Sequence, residues 1–157
     1  MTRFNPKPQD APWLTPYLVL TDWADNRRYY EKVFGFELGL VIDGPGHMPI
    51  HAEFRYKGQL LFMCAPEGTG GSPIRSPRSE ALDHSPVSFC VYVDDVDAFT
   101  NQALEAGGIM AEEPADQFYG ERRVTFIDPS GYTWMFMSNI KAMSDDEIRA
   151  AASAMAD

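Results

Sequence analysis

Apolar side chains alternate with polar or small ones in LTPYLVL (14–20), PIHAEFRY (49–56), QLLFMC (59–64), VSFCVYV (87–93) and YTWMFM (132–137). A period of two sends successive side chains to opposite faces, so each run predicts a strand with one covered face. After the first and fourth runs the pattern changes. DWADNRRYYEKVFGF (22–36) and DVDAFTNQALEAGGI (95–109) are amphipathic over about three helical turns. Asp22 and Asp95 are placed to accept from the free amides of the first turn, and Gly35 and Gly108 to form left-handed caps at the far end.

These two stretches are one plan used twice. Asp22 and Asp95, Gly35 and Gly108, and the turn glycines Gly58 and Gly131 share a single offset of 73 (95 − 22, 108 − 35, 131 − 58). Two copies of a strand–helix–strands unit are therefore expected, a first module over 13–64 and a second over 87–140, within one structural domain overall. Residues 1–12, with Pro6, Pro8 and Pro12, predict an extended arm. Residues 65–86, APEGTGGSPIRSPRSEALDHSP, lack periodicity and predict a linker long enough to cover a site. In residues 141–157, Ser144 and Glu147 stand as a capping box ahead of an alanine-rich helix, an addition that packs on the domain or on a partner subunit.

Counting by alternation assigns two faces. Leu14, Pro16, Leu18, Leu20, Leu61, Met63, Phe89, Val91, Val93, Trp134 and Phe136 form a bulky set for helices to cover, joined by Ile50, Ala52 and Phe54. The other set is Thr15, Tyr17, Val19, Leu60, Phe62, Cys64, Ser88, Cys90, Tyr92, Thr133, Met135 and Met137, joined by His51, Glu53 and Arg55. Its mix of hydroxyls, sulfur and rings suits a pocket that buries an organic ligand and orients it with a few polar groups. The plainer alternative is a second core layer or a dimer seam.

Composition narrows the partners. With 13 basic and 23 acidic side chains the formal charge is −10, so a phosphate backbone or an anionic lipid surface would be repelled and neither nucleic acid nor membrane is an expected partner. No apolar run approaches the ~20 residues of a membrane span, and the polar N-terminus lacks the apolar core of a secretory signal, so a cytoplasmic location is the expectation. Cys64 and Cys90 stand apart in apolar runs, as buried thiols rather than a disulfide framework or a metal motif.

RRYYEKVFGF, VYVDDVDAFTNQALEAGG and FYGERRVTFIDPSGYTWMF, in this order over about residues 13–139, resemble the vicinal oxygen chelate superfamily, which includes glyoxalases, extradiol dioxygenases and bleomycin resistance proteins. The resemblance implies an α+β fold of two βαβββ modules whose curled sheets enclose a cavity, usually in a homodimer. It also implies metal-ligand positions: one on the first strand of each module, seven residues before the capping acid, and one four residues after the turn glycine. Those places fall on Thr15, Ser88, Phe62 and Met135. None is His, Glu or Asp, whereas a divalent metal needs several N, O or S⁻ donors. No metal and no other cofactor is expected. Bleomycin resistance proteins, which also lack this quartet and sequester a cationic drug, are nearest in character.

The expected ligand-binding residues are therefore Thr15, Tyr17, His51, Glu53, Phe62, Cys64, Ser88, Cys90, Tyr119, Arg122 and Met135. Tyr119, with Phe118, would stack on a planar ligand and Arg122 would meet an anionic or carbonyl group. His51 and Glu53, two apart on one strand face, are the polar anchors. The leading expectation is metal-free binding of an aromatic or cationic compound, antibiotics included. The alternatives are a lyase, isomerase or dioxygenase that uses a displaced metal, with His84 or Asp128 as a third ligand, or His51 and Glu53 as an acid–base pair, and a protein-interaction module.

Overall fold

The computed structural model describes residues 5–155; residues 1–4 of the expected arm and 156–157 of the expected C-terminal segment lie outside the described residues. The chain divides into two compact units. One runs to Asp83 and includes Pro129–Gly131; the other runs from His84 to Asp128 and from Tyr132 onward.

The first unit is built in the order β1 (Tyr17–Leu20), α1 (Trp23–Lys32), β2 (Glu37–Asp43), β3 (Pro49–Tyr56) and β4 (Gln59–Pro66). Its sheet has the order β1-β4-β3-β2, with β1 parallel to β4 and the other pairs antiparallel. The Asp22 side chain accepts from Asp25 N at 2.8 Å, and α1 ends before Gly35 at φ 68. One side of the sheet packs against α1. There Tyr30 meets Phe54 at 5.0 Å and Phe62 at 5.1 Å, centroid to centroid, and Phe54 stacks on Phe62 at 5.1 Å. Each such fully buried apolar side chain stabilises the fold by about 1.5–3 kcal/mol. The loop after β4 is also tied to this unit: Ser76, fully buried, donates to Glu67 Oε1 from its amide at 2.8 Å and its hydroxyl at 2.7 Å.

The second unit repeats the plan: β5 (Ser88–Tyr92), α2 (Val96–Glu105), β6 (Ile109–Asp116), β7 (Glu121–Ile127) and β8 (Thr133–Asn139), with sheet order β5-β8-β7-β6. Asp95 caps α2 through Ala98 N at 2.9 Å. The left-handed residue after α2 is Gly107 at φ 90, one position before the expected Gly108, whose own amide closes the turn on Ala103 O at 2.8 Å. Trp134, Phe126 and Phe136 are buried under α2, where Phe99 stacks on Phe136 at 4.0 Å. A third helix, α3 (Asp145–Ala154), starts with the Ser144–Glu147 capping box and buries none of its side chains. The architecture is α+β, as the resemblance implies. Among the described residues no helix is long and apolar enough to cross a membrane.

The face assignment of β4 is corrected. Tyr17 pairs with Met63 and Leu18 with Cys64, so Phe62 (1% exposed) and Cys64 (0%) belong to the core with Leu18 and Leu20, as does Leu60, while Leu61 and Met63 share the open face with Tyr17. The cause is the length of the last hairpin. Lys57 and Gly58, both at positive φ, make a two-residue turn between β3 and β4, whereas residues 128–132 separate β7 from β8. Counting from the turn glycine therefore slips by one residue, and a one-residue slip exchanges the faces of a strand. Leu14 is corrected too: it lies ahead of β1 and is exposed, not covered.

Candidate functional site

Each sheet has one face under its helix and one face open, and the open faces carry the polar chemistry. In the first unit the register sets Tyr17 of β1, Met63 of β4 and Glu53 of β3 side by side. His51 stands two residues before Glu53 on the same face. Tyr17 reaches over β4 to it, with Oη 3.3 Å from Nδ1 and ring centroids 5.8 Å apart. Burial, then the nearby Cys64, pushes the Tyr17 hydroxyl above its ordinary pKa, so the phenol stays protonated. A phenol that donates to Nδ1 leaves the imidazole proton on Nε2, and Nε2 faces Glu53 Oε1 at 3.9 Å. Glu53 Oε2 lies 3.5 Å from Arg55, which also meets Asp10 of the arm at 3.4 Å. The result is a chain of polar groups, Tyr17–His51–Glu53–Arg55–Asp10, laid beside a thioether. His51 and Glu53, predicted as neighbours, are brought together; Met63 between Tyr17 and Glu53 is the member that the alternation misassigned.

In the second unit the corresponding row is Cys90 of β5, Met135 of β8 and Thr125 of β7. The phenol bridge recurs one step further along. Tyr92 and Arg123 both pair with Met137, and Tyr92 reaches over that methionine to donate to Glu121 Oε1 at 2.6 Å. Met137 is only 7% exposed and Thr125 on the same face 4%. The hydrogen bond to Glu121 raises the Tyr92 pKa, with burial and the neighbouring charges of Glu121, Cys90 and Tyr119 adding to it. Glu112 accepts from Arg123 at 2.9 Å and from Thr125 Oγ1 at 2.7 Å.

The remaining predicted residues fall as follows. Ser88 begins β5, exposed and opposite Thr133, while Thr15 is half-buried two residues before β1. Tyr119 is half-buried in the β6–β7 loop with Phe118 edge-on at 5.0 Å. Cys90 is exposed, not buried as expected, on β5 at the edge of its sheet; partial burial, then Glu121, raises its pKa against the pull of Arg123. Arg122 is corrected. It shares the helix side of β7 with Val124, and its guanidinium is held by Asp97 at 2.9 Å and Asp116 at 2.6 Å. The open-face arginine is Arg123, one residue on.

The metal-ligand places of the resembled enzymes test poorly against these side chains. By sheet register the place matching Met135 is Met63 (135 − 63 = 72), so the last strands offer two thioethers, with Thr15 and Ser88 on the first-strand side. Neutral hydroxyls and thioethers do not suit Zn²⁺, Fe²⁺ or Ni²⁺. Among the described residues no three or more His, Cys, Asp and Glu side chains are grouped to hold a metal ion. Asp128, weighed as a displaced ligand, is fully buried and accepts from Trp134 Nε1 at 2.8 Å and Tyr132 N at 3.0 Å, where it shapes the β7–β8 turn. His84 is exposed in the segment before β5.

Residues 13–136 match the sequence model of the Glyoxalase/Bleomycin resistance protein/Dioxygenase superfamily. An uncharacterized protein of Mycobacterium bovis is 35% identical over 149 residues, 93% of this chain and 95% of its own. One of Mycobacterium tuberculosis is 35% identical over the same share of this chain and 85% of its own. Among solved structures, TioX from Micromonospora sp. ML1 is similar at 26% identity and a TM-score of 0.61, over 85% of this chain and all of TioX (100%). TnmS3, an antibiotic binding protein from Streptomyces sp. CB03234, shares the fold at a TM-score of 0.57 and 18% identity, over 78% of this chain and 91% of its own.

Proposed function

The chain belongs to the glyoxalase/bleomycin resistance protein/dioxygenase superfamily, and from that premise we propose that it binds a small organic molecule, aromatic or cationic, on its open sheet faces without a metal. One observation carries this reading. Met63 and Met135 occupy the same sheet position in the two units, each between a first-strand side chain (Tyr17, Cys90) and a third-strand one (Glu53, Thr125). A thioether is polarizable and adaptable and packs well against rings. The flanking Tyr17, His51 and Glu53 supply the few polar groups that orient a ligand. Since TnmS3 is an antibiotic binding protein, antibiotics are included in the proposed ligand class. The proposal also takes the protein to be a cytoplasmic homodimer, which sedimentation of the purified protein tests for its assembly.

The test is a thermal-shift screen of aromatic metabolites and antibiotics, because a ligand that binds only the folded state raises its stability by RT ln(1 + [L]/Kd). A hit that weakens in Met63→Ala or Met135→Ala supports the reading. Near-stoichiometric Zn, Fe, Ni or Mn in the purified protein, lost on substituting His51 or Glu53, overturns it. The Tyr17–His51 bond favours a second reading, a metal-free acid–base enzyme in which Tyr17 and His51 pass a proton. Turnover of a bound compound that is lost in Tyr17→Phe while binding persists distinguishes the two.

A further inference from the structure

Glu121 is half-buried on the open face of the second unit, and its hydrogen-bond partner is a neutral phenol. Other carboxylates on the open faces have a cation: Glu53 has Arg55 at 3.5 Å and Glu112 has Arg123 at 2.9 Å. Glu121 makes no ion pair with any described residue, in a chain whose formal charge is already −10. Arg123, two residues along the same face, is engaged by Glu112 at 2.9 Å, so a cation from solution still finds a half-buried carboxylate to pair with.

The surroundings indicate which cation. Tyr92 is 57% exposed and Phe118 40%, and the Phe118 and Tyr119 rings stand edge to face at 84° in the loop that runs directly into Glu121. Tyr119 is half-buried in that loop, two residues before Glu121. Ring faces attract cations through their quadrupole, most effectively cations that shed water readily. A hard metal ion needs about six or more oxygen ligands, and one carboxylate with one oxygen already engaged does not provide them. A primary ammonium brings three N–H donors to a wall of rings and sulfur with few acceptors.

We propose that Glu121, with the rings of Tyr92, Tyr119 and Phe118, forms a binding site for a methylated ammonium group, the cationic head of an organic ligand. This rests on the reading of the open face as a binding surface and narrows its ligand class. The carboxylate supplies the charge. The rings supply a polarizable wall, and the Tyr92 hydroxyl keeps the carboxylate aimed.

Phenyltrimethylammonium chloride is the probe, with methylammonium chloride and sodium chloride at equal ionic strength as the comparison. The expected result is a saturable rise in melting temperature with phenyltrimethylammonium only, and an apparent Kd weakened at least about tenfold in Glu121→Gln, as follows loss of a desolvated charge. Phe118→Ala, which removes an exposed ring, is expected to weaken it several-fold and carries the test if E121Q melts low. An equal rise with sodium chloride, no rise at all, or an unchanged Kd in both variants overturns the proposal. If phenyltrimethylammonium fails while a neutral aromatic compound still shifts the melting point in a way that depends on Met135, this site falls and the wider binding function stands. If neither compound acts, both fall.

Discussion

Tyr17 Oη stands 3.3 Å from Nδ1 of His51, across the strand that separates them, and the second sheet makes the same diagonal reach from Tyr92 to Glu121 at 2.6 Å. In both, a first-strand phenol crosses the last strand to a titratable group on the third. The bridge in the first unit fixes which imidazole nitrogen is free. Tyr17→Phe should therefore change the NMR shifts of the His51 ring nitrogens, which report the tautomer, while altering stability by less than about 0.5 kcal/mol, since the ring is largely exposed. Ring-nitrogen shifts of His51 identical in the two proteins would show that the bond does not form in solution.

Neighbouring residues of β4 should respond in opposite ways. Phe62→Ala removes a ring from the cluster with Tyr30 and Phe54 and is expected to cost about 3–5 kcal/mol in urea unfolding. Met63→Ala, on the open face, should cost under about 1.5 kcal/mol yet weaken any ligand found by thermal shift. Equal losses would return β4 to the other register.

How much of this was legible in the sequence follows from the same strand. The repeat, both helix caps and the strand PIHAEFRY were readable because each rests on local chemistry: an Asp at the first turn, a glycine near the last, a period of two. His51 and Glu53 followed from parity within a single strand. Met63 did not. Its face depends on a turn of two residues in one module and five in the other, which no local pattern records, whereas Arg123 was open to the alternation of RVTF, with Val124 and Phe126 on the covered side. The bond from Tyr92 to Glu121, 29 residues apart, was hidden because it joins two distant strands, and the expected strand VSFCVYV carries only its tyrosine.

The two thiols should separate cleanly. Cys64 lies in the core and burial pushes its pKa up to about 12; Cys90 is exposed, with a smaller rise. Since the thiolate is the reactive form, native protein at neutral pH should take up one iodoacetamide, slowly, at Cys90. Peptide mass mapping reads the site. Labelling of Cys64 at a comparable rate would place that residue on the open face.

Asp128 should behave as a structural acid. It is fully buried with Trp134 Nε1 at 2.8 Å and Tyr132 N at 3.0 Å, so Asp128→Ala removes the acceptor of both hydrogen bonds. A hydrogen bond to a charged group contributes about 1.5–3 kcal/mol, and a loss of that order is expected, together with a shift in Trp fluorescence. Unchanged stability would point back to a role outside the turn.

Glu67 sets an acid limb to stability. Burial alone would raise its pKa, but hydrogen bonds from the Ser76 amide and from the Ser79 and Ser76 side chains, with the Arg75 charge at 3.4 Å, outweigh it and hold the carboxyl below its ordinary value of 4.5. A group whose pKa is lowered by folding contributes stability that is fully present above the unfolded pKa and is lost as pH falls through the folded one. Glu67→Gln should thus be less stable than the parent by a constant amount above about pH 5.5. The difference should shrink below about pH 4.5 as the parent carboxylate takes up its proton. Urea midpoints of the two proteins between pH 3 and 7 measure this directly; a difference that stays flat through the acid range would mean that the Ser76 and Ser79 hydroxyls hold the neutral acid as well as they hold the carboxylate.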